Sequence, residues 1–249
     1  MMLAARDLVV TLGGHPALHG VSMALQPGTV TAICGPNGAG KSTLLGSLAG
    51  LIAPLEGGIT LEDVPLGKMP ARRRAQAIGF LPQTGEVAWD VSVAHLAALG
   101  RLPYGDSEGA GRAHIDAALA AMGLEPLADR PVSQLSGGER ARALLARVLA
   151  GDPRWILADE PLAALDLAHQ LALLVRLKEA ARTGTGVVLV VHDLALAMNH
   201  AQRVVVLDQG RVAADGPPQE ALSEAVIARV WGVTARWLGE PGARALSAG

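Results

Sequence analysis

The stretch Val30-Thr31-Ala32-Ile33-Cys34-Gly35-Pro36-Asn37-Gly38-Ala39-Gly40-Lys41-Ser42-Thr43 decides how this chain is read. A strand-like apolar run leads into Gly35, and residues 42–49 read as a helix. Between them stand glycine, four residues, Gly-Lys and a hydroxyl residue, which is the P-loop spacing. The candidate phosphate-binding residues are therefore Gly35, Pro36, Asn37, Gly38, Ala39, Gly40, Lys41, Ser42 and Thr43. The glycines let the loop turn several N–H groups inward around phosphate oxygens. Lys41 adds a mobile positive charge, and the Ser42 hydroxyl can ligate Mg²⁺. The following helix directs its positive N-terminal end at the same anion. The chain has only three lysines, Lys41, Lys68 and Lys178, so a chance match is improbable. A nucleoside triphosphate is the expected ligand.

Working outward, 249 residues suffice for one elaborated domain or a domain with a subdomain. Half of the residues are hydrophobic, yet no uninterrupted apolar run approaches the ~18 residues needed to span a bilayer. The N-terminal seven residues lack the basic and apolar segments of a secretion signal. A formal net charge of -2 argues against non-specific nucleic-acid binding. Cys34 is the single cysteine, so no internal disulfide forms and a reducing compartment is expected. Next to the P-loop it reads as a small buried hydrophobe rather than a reactive thiol. The expectation is a soluble cytosolic protein.

The first segment alternates at Leu8, Val10 and Leu12, then at Val21, Met23 and Leu25, with turns at Gly13-Gly14 and Gln26-Pro27-Gly28. Short antiparallel strands are expected there, with further strands over 57–61 and 78–81. Residues 92–152 read as mostly helical, over 94–99, 113–122 and 139–150. Compact apolar runs over 155–158, 187–191 and 203–207 suit buried parallel strands, with helices between them over 168–182 and 194–201. The fold class is α/β: a P-loop NTPase core with a mainly parallel sheet, an N-terminal antiparallel β part and an inserted helical subdomain. The divisions expected are 1–88 and 154–238 for the core, 89–153 for the helical subdomain, and 239–249 for a frayed tail.

Two further patterns carry chemistry. Trp155-Ile156-Leu157-Ala158-Asp159-Glu160 is an apolar strand ending in two acids. A strand end beside a P-loop is where a Mg²⁺-organising aspartate belongs, and Asp159 fits that role. Glu160 can turn toward the γ-phosphate and activate the attacking water. Leu135-Ser136-Gly137-Gly138-Glu139 opens a long helix, and Ser136 with its glycines makes a second anion site at a helix start.

With these motifs in this order, nearly the whole chain resembles the nucleotide-binding subunit of an ATP-binding cassette (ABC) transporter. The resemblance implies a homodimer in which each ATP lies between one P-loop and the partner's signature segment, here Ser136, Gly137 and Gly138. It also implies that Gln83, in Phe80-Leu81-Pro82-Gln83, is the Q-loop residue that contacts Mg²⁺ and couples to membrane subunits. His192 matches the switch histidine at the γ-phosphate, and Asp166, in Ala164-Leu165-Asp166, the D-loop at the dimer interface. The chain departs from the family in three places. Residues 1–79 hold no aromatic to stack on adenine, leaving His15 or Leu12 as the base contact. Glu139 stands where the signature usually ends in glutamine, and Ala163 where serine is frequent.

Val91-Ser92-Val93 with Ala98-Leu99-Gly100-Arg101-Leu102-Pro103-Tyr104, and Val230-Trp231-Gly232-Val233, are similar to importers of ferric siderophores, haem and cobalamin. That subgroup implies ATP and Mg²⁺ as cofactors, two transmembrane permease subunits and, indirectly, a periplasmic substrate-binding protein. It also implies a place on the cytoplasmic face of the bacterial inner membrane. The alternatives are a non-transport ABC ATPase, such as an iron–sulfur cluster assembly subunit, or an ABC ATPase serving another substrate. Arg72-Arg73-Arg74 reads as a solvated helix face rather than a nucleic-acid or lipid patch. Trp89 could face the membrane subunits or pack in the core.

Overall fold

The computed structural model describes residues 2–83, 90–106, 109–163 and 165–249. Trp89 and Ala164 lie outside the described residues. The chain opens with β1 (Leu3–Leu12) and β2 (His15–Leu25), then β3 (Val30–Cys34) and α1 (Lys41–Leu48). Next come β4 (Glu56–Leu61), β5 (Val64–Pro65), α2 (Ala71–Ala77) and β6 (Ile78–Leu81). The helical part comprises α3 (Val93–Ala98), α4 (Arg112–Ala121) and α5 (Gly137–Ala150). There follow β7 (Trp155–Asp159), α6 (Leu167–Arg182), β8 (Gly186–Val190), α7 (Leu194–His200), β9 (Arg203–Asp208) and β10 (Arg211–Gly216). The chain closes with α8 (Pro218–Ala221), α9 (Glu224–Trp231), β11 (Ala235–Leu238) and β12 (Ala245–Ala248).

The central sheet runs β10-β9-β3-β8-β7-β6, parallel throughout except for the edge strand β10. Its inner strands are buried on both faces, which is why they read as continuous apolar runs instead of alternating ones. Ile156, Ala158, Val187, Leu189, Val204 and Val206 point into the core shared with α3 to α7. Their neighbours Leu157, Val188, Val190, Val205 and Leu207 point the other way, onto Leu44, Leu45 and Leu48 of α1. The antiparallel sheet β2-β1-β4-β5 closes over α1 from its far side through Leu3, Leu8, Val10 and Leu25. The P-loop helix is thus clamped between two sheets, and truncating Leu45, fully buried there, to alanine would cost about 2–5 kcal/mol.

The parallel arrangement places the site. The C-terminal ends of β3, β8, β7 and β6 lie side by side on one edge, level to within a residue (Ile33 opposite Val190, Val190 opposite Asp159, Ala158 opposite Leu81). Loops leaving that edge form the ligand crevice of open α/β sheets. Among the described residues no helix is long and apolar enough to cross a membrane.

One expectation needs correction. The segment 239–249 does not fray: its strand β12 pairs with β11, and Asn199 of α7 exchanges two 2.8 Å hydrogen bonds with the backbone of Arg244. Small residues that look like a tail are held because the hairpin partner and Asn199 satisfy their backbone. Arg72 and Arg73 are exposed on α2, as expected of a solvated helix face, and the Arg72 guanidinium is in addition bonded to two backbone carbonyls.

Candidate functional site

The P-loop turns out of β3 at Gly35, where φ is +150° and a Cβ would lie 2.1 Å from the Leu207 carbonyl oxygen. Gly40, at φ +94°, is the N-cap of α1, and a Cβ there would meet the Ala17 carbonyl oxygen at 2.7 Å. Only glycine fits either position. The Lys41 ammonium folds back and donates to the carbonyls of Gly35 and Pro36, both at 2.9 Å. Burial pulls its pKa below the ordinary lysine value, opposed by the charges of Glu160, Cys34 and Asp159. A buried cation with only neutral carbonyl partners is poised to accept an anion. Cys34 behind it is fully buried, and burial pushes its thiol up to about 12, so it is a packing residue.

A cavity of about 650 Å³ opens over this loop, lined by Asn37, Gly38, Gly40, Lys41, Ser42, Thr43, Gln83, Glu160 and His192. Four separate segments converge here, one from each of the aligned strand ends. On the remaining side the lining is Ala17. Leu12 and His15, expected at the base, lie exposed in the neighbouring strands and are not among the lining residues. Ala17 escaped sequence reading because a single alanine in an alternating strand carries no signal of its own.

Asp159 ends β7 and is buried. Burial raises its carboxyl above the ordinary aspartate value; the Ser42 hydroxyl bonded to it pulls the other way. Its Oδ1 is buried without a hydrogen-bond partner. An orphaned buried carboxylate oxygen is costly unless a cation or proton satisfies it. Among the described residues no three His, Cys, Asp or Glu side chains form a metal cage. One carboxylate plus one hydroxyl is the sparse protein donor set that suits Mg²⁺, whose shell is completed by phosphate and water. The residues present fit that ion.

Glu160 follows in the left-handed region, with φ +51° and its N–H donating to the Val190 carbonyl at 3.1 Å. A non-glycine residue held this way stores about 1–3 kcal/mol. The turn swings its carboxylate off the strand's alternation and into the cavity. There Oε1 meets His192 Nε2 at 2.5 Å. The glutamate side chain is 14% exposed and the histidine 47%, so the pair sits at the cavity mouth with the acid inward.

The signature segment lies apart from this cavity. Ser136 is the N-cap of α5, its hydroxyl accepting from Glu139 N while Glu139 Oε2 accepts from Ser136 N at 2.8 Å. The reciprocal bonds form a capping box, so the acid at this position holds the helix start in shape. Hydrogen bonding to Ser136 pulls the Glu139 pKa below its ordinary value. Ser136 and Gly137 are exposed, and none of Ser136, Gly137 and Gly138 lines the P-loop cavity. Asp166, also exposed, caps α6, accepting from His169 N at 2.9 Å with His169 Nδ1 at 2.7 Å. Within one subunit, then, the structure brings together the P-loop, Gln83, Asp159, Glu160 and His192, and leaves Ser136, Gly137, Gly138 and Asp166 outside that cavity.

A family model described as "ABC transporter" matches residues 18–163 of the chain. The chain belongs to the ABC transporter family. As an ABC ATPase it binds ATP, and its reaction is ATP hydrolysis coupled to transport. The relative "Hemin import ATP-binding protein HmuV" of Rhodococcus jostii (strain RHA1) is 45% identical over 235 residues, covering 92% of this chain and 80% of that protein. Among solved structures, an inward-facing metal-chelate type ABC transporter superposes with a TM-score of 0.83 at 25% identity, over 99% of this chain and 96% of that one. The dimeric structure of the bacterial ABC cassette MJ0796 gives 0.80 at 28%, over 87% and 98%.

Proposed function

We propose that this ABC ATPase energises import of a metal chelate, haem first among them, through two permease subunits, and works as a homodimer. The likeness to the hemin import ATP-binding protein of Rhodococcus jostii, at 45% identity across 92% of the chain, carries the substrate class. The convergence of four strand-end loops on one cavity supports the chemistry.

In this reading Gly35 to Thr43 wrap the phosphates, and Lys41 exchanges its two carbonyl partners for the terminal phosphates. Ser42, Asp159 and Gln83 would hold Mg²⁺, which when bound neutralises charge spread over the phosphate oxygens. Glu160, angled inward by its strained backbone, orients the attacking water and accepts its proton. His192 fixes that carboxylate and reaches for the γ-phosphate. Ser136, Gly137 and Gly138 complete the site from the partner subunit, with Asp166 at the shared interface. The position of these residues outside the cavity supports that division, since an anion site at an exposed helix start serves a ligand brought to it.

The subunit then sits on the cytoplasmic face of a bacterial inner membrane, and a periplasmic binding protein delivers the chelate to the permeases. Reconstitution tests this: co-expressed with its permease pair in liposomes, the chain should show ATPase activity stimulated by haem-loaded binding protein. Stimulation by a different cargo alone would overturn the haem assignment.

A further inference from the structure

The turn over residues 99–104 takes no part in the chemistry above, yet it is bonded to elements on both of its sides. From one side, Arg72 of α2 donates to the carbonyls of Pro103 (Nε, 2.6 Å) and Tyr104 (Nη2, 2.5 Å), and Gln76 donates to Pro103 at 2.9 Å. From the other, the Tyr104 hydroxyl donates to the Gly151 carbonyl, at 2.6 Å, where α5 ends. Arg101 lies over the Tyr104 ring, 3.8 Å from its centroid, and is anchored by Asp106 at 2.7 Å. Gly100 packs so closely on α5 that a Cβ would stand 2.0 Å from the Arg147 carbonyl oxygen.

We propose that Arg72, Gln76 and Tyr104 form a clasp that sets the tilt of α5 relative to the nucleotide-binding core. The clasp joins the element that leads to Gln83 to the helix that carries Ser136. α2 runs directly into β6 and so to Gln83, while α5 carries Ser136 at its far end. α5 has 14 residues, so at 1.5 Å per residue it is a rod about 21 Å long. A tilt of about 3° at its clasped end displaces Ser136 by about 1 Å, and such misplacements cost on the order of 10²-fold in rate. These are positioning residues: none lines the cavity, and they act through α5. Three polar side chains bonded to backbone carbonyls spread over two elements suit an adjustable joint better than apolar packing, which admits fewer arrangements.

This rests on the homodimer reading, and the test separates the two. In the full chain carrying Glu160→Gln, which keeps ATP intact, two constants are measured: ATP affinity of the dilute monomer by equilibrium titration, and the ATP-dependent dimer constant by sedimentation. Tyr104→Phe, and separately Arg72→Ala with Gln76→Ala, should leave monomer affinity within about twofold and weaken dimerisation about tenfold. An unchanged dimer constant would overturn the clasp. So would a parallel loss of both constants, which marks a merely structural role. Should the double variant not fold, Tyr104→Phe decides, because it removes one oxygen and keeps the ring under Arg101. A parent that never dimerises with ATP would overturn the dimer reading itself, and the clasp with it.

Discussion

Glu160 and His192 meet at 2.5 Å across the mouth of the P-loop cavity, although 32 positions separate them in sequence. Two things create the contact: β7 and β8 are parallel neighbours that end level, and Glu160 adopts φ +51° and so leaves the strand's alternation. The pair is therefore built into the fold of a single subunit, with both side chains lining the cavity.

Glu160→Gln keeps the shape and the hydrogen bond to His192 but cannot accept a proton. ATP turnover should fall about 10²–10⁴-fold while ATP affinity changes little. Single-turnover hydrolysis beside a binding titration checks it. A variant retaining full turnover would remove Glu160 as the base.

Asp159 gives a prediction of opposite sign for stability and activity. Its carboxyl is raised by burial, so the folded apo protein holds that proton more tightly than the unfolded chain. Stability therefore falls as pH rises from the ordinary aspartate value through the raised one, and the full penalty remains at neutral pH. Asp159→Asn should melt at or above the parent temperature at pH 7 without Mg²⁺, and the difference should vanish in acid below the ordinary aspartate range. The same variant should lose the Mg²⁺-dependent part of ATP affinity and hydrolysis. Calorimetry across pH, with and without Mg²⁺, reads both.

Glu139 replaces the glutamine usual in the family signature, and it makes reciprocal bonds with Ser136 in the capping box. Glutamine can make the same reciprocal bonds. Glu139→Gln should leave ATPase activity within about twofold, whereas Glu139→Ala, which opens the box, should lower it. Hydrogen bonding depresses the Glu139 pKa, so the box is intact above the ordinary glutamate value and is lost as pH falls through the depressed one. Melting curves of the glutamine variant should lack that acid-dependent step.

Much of this architecture was legible because its determinants are local. The P-loop spacing announces its own backbone geometry, and strands β3, β7, β8 and β9, buried on both faces, announce themselves as apolar runs. Asp159, Glu160 and His192 were legible as strand-end residues. That Glu160 could turn was legible from its place at a strand end, but its left-handed backbone was not, since the bond from its N–H to Val190 comes from β8. The same holds for Ala17 at the cavity, for the clasp on Tyr104 and for the closing hairpin. Each depends on backbone carbonyls brought close by tertiary packing, and carbonyls leave no trace in the order of side chains.

If one active site is assembled from two chains, mixing two differently disabled variants should restore it. Lys41→Ala and Ser136→Arg should each abolish hydrolysis alone. When the two are mixed, each heterodimer contains one site with both lesions and one with neither. About a quarter of the wild-type rate should therefore return in an equal mixture, if dimers form at random and sites act independently. A mixture that stays as inactive as its parts at every ratio would show that the site is not shared between two chains.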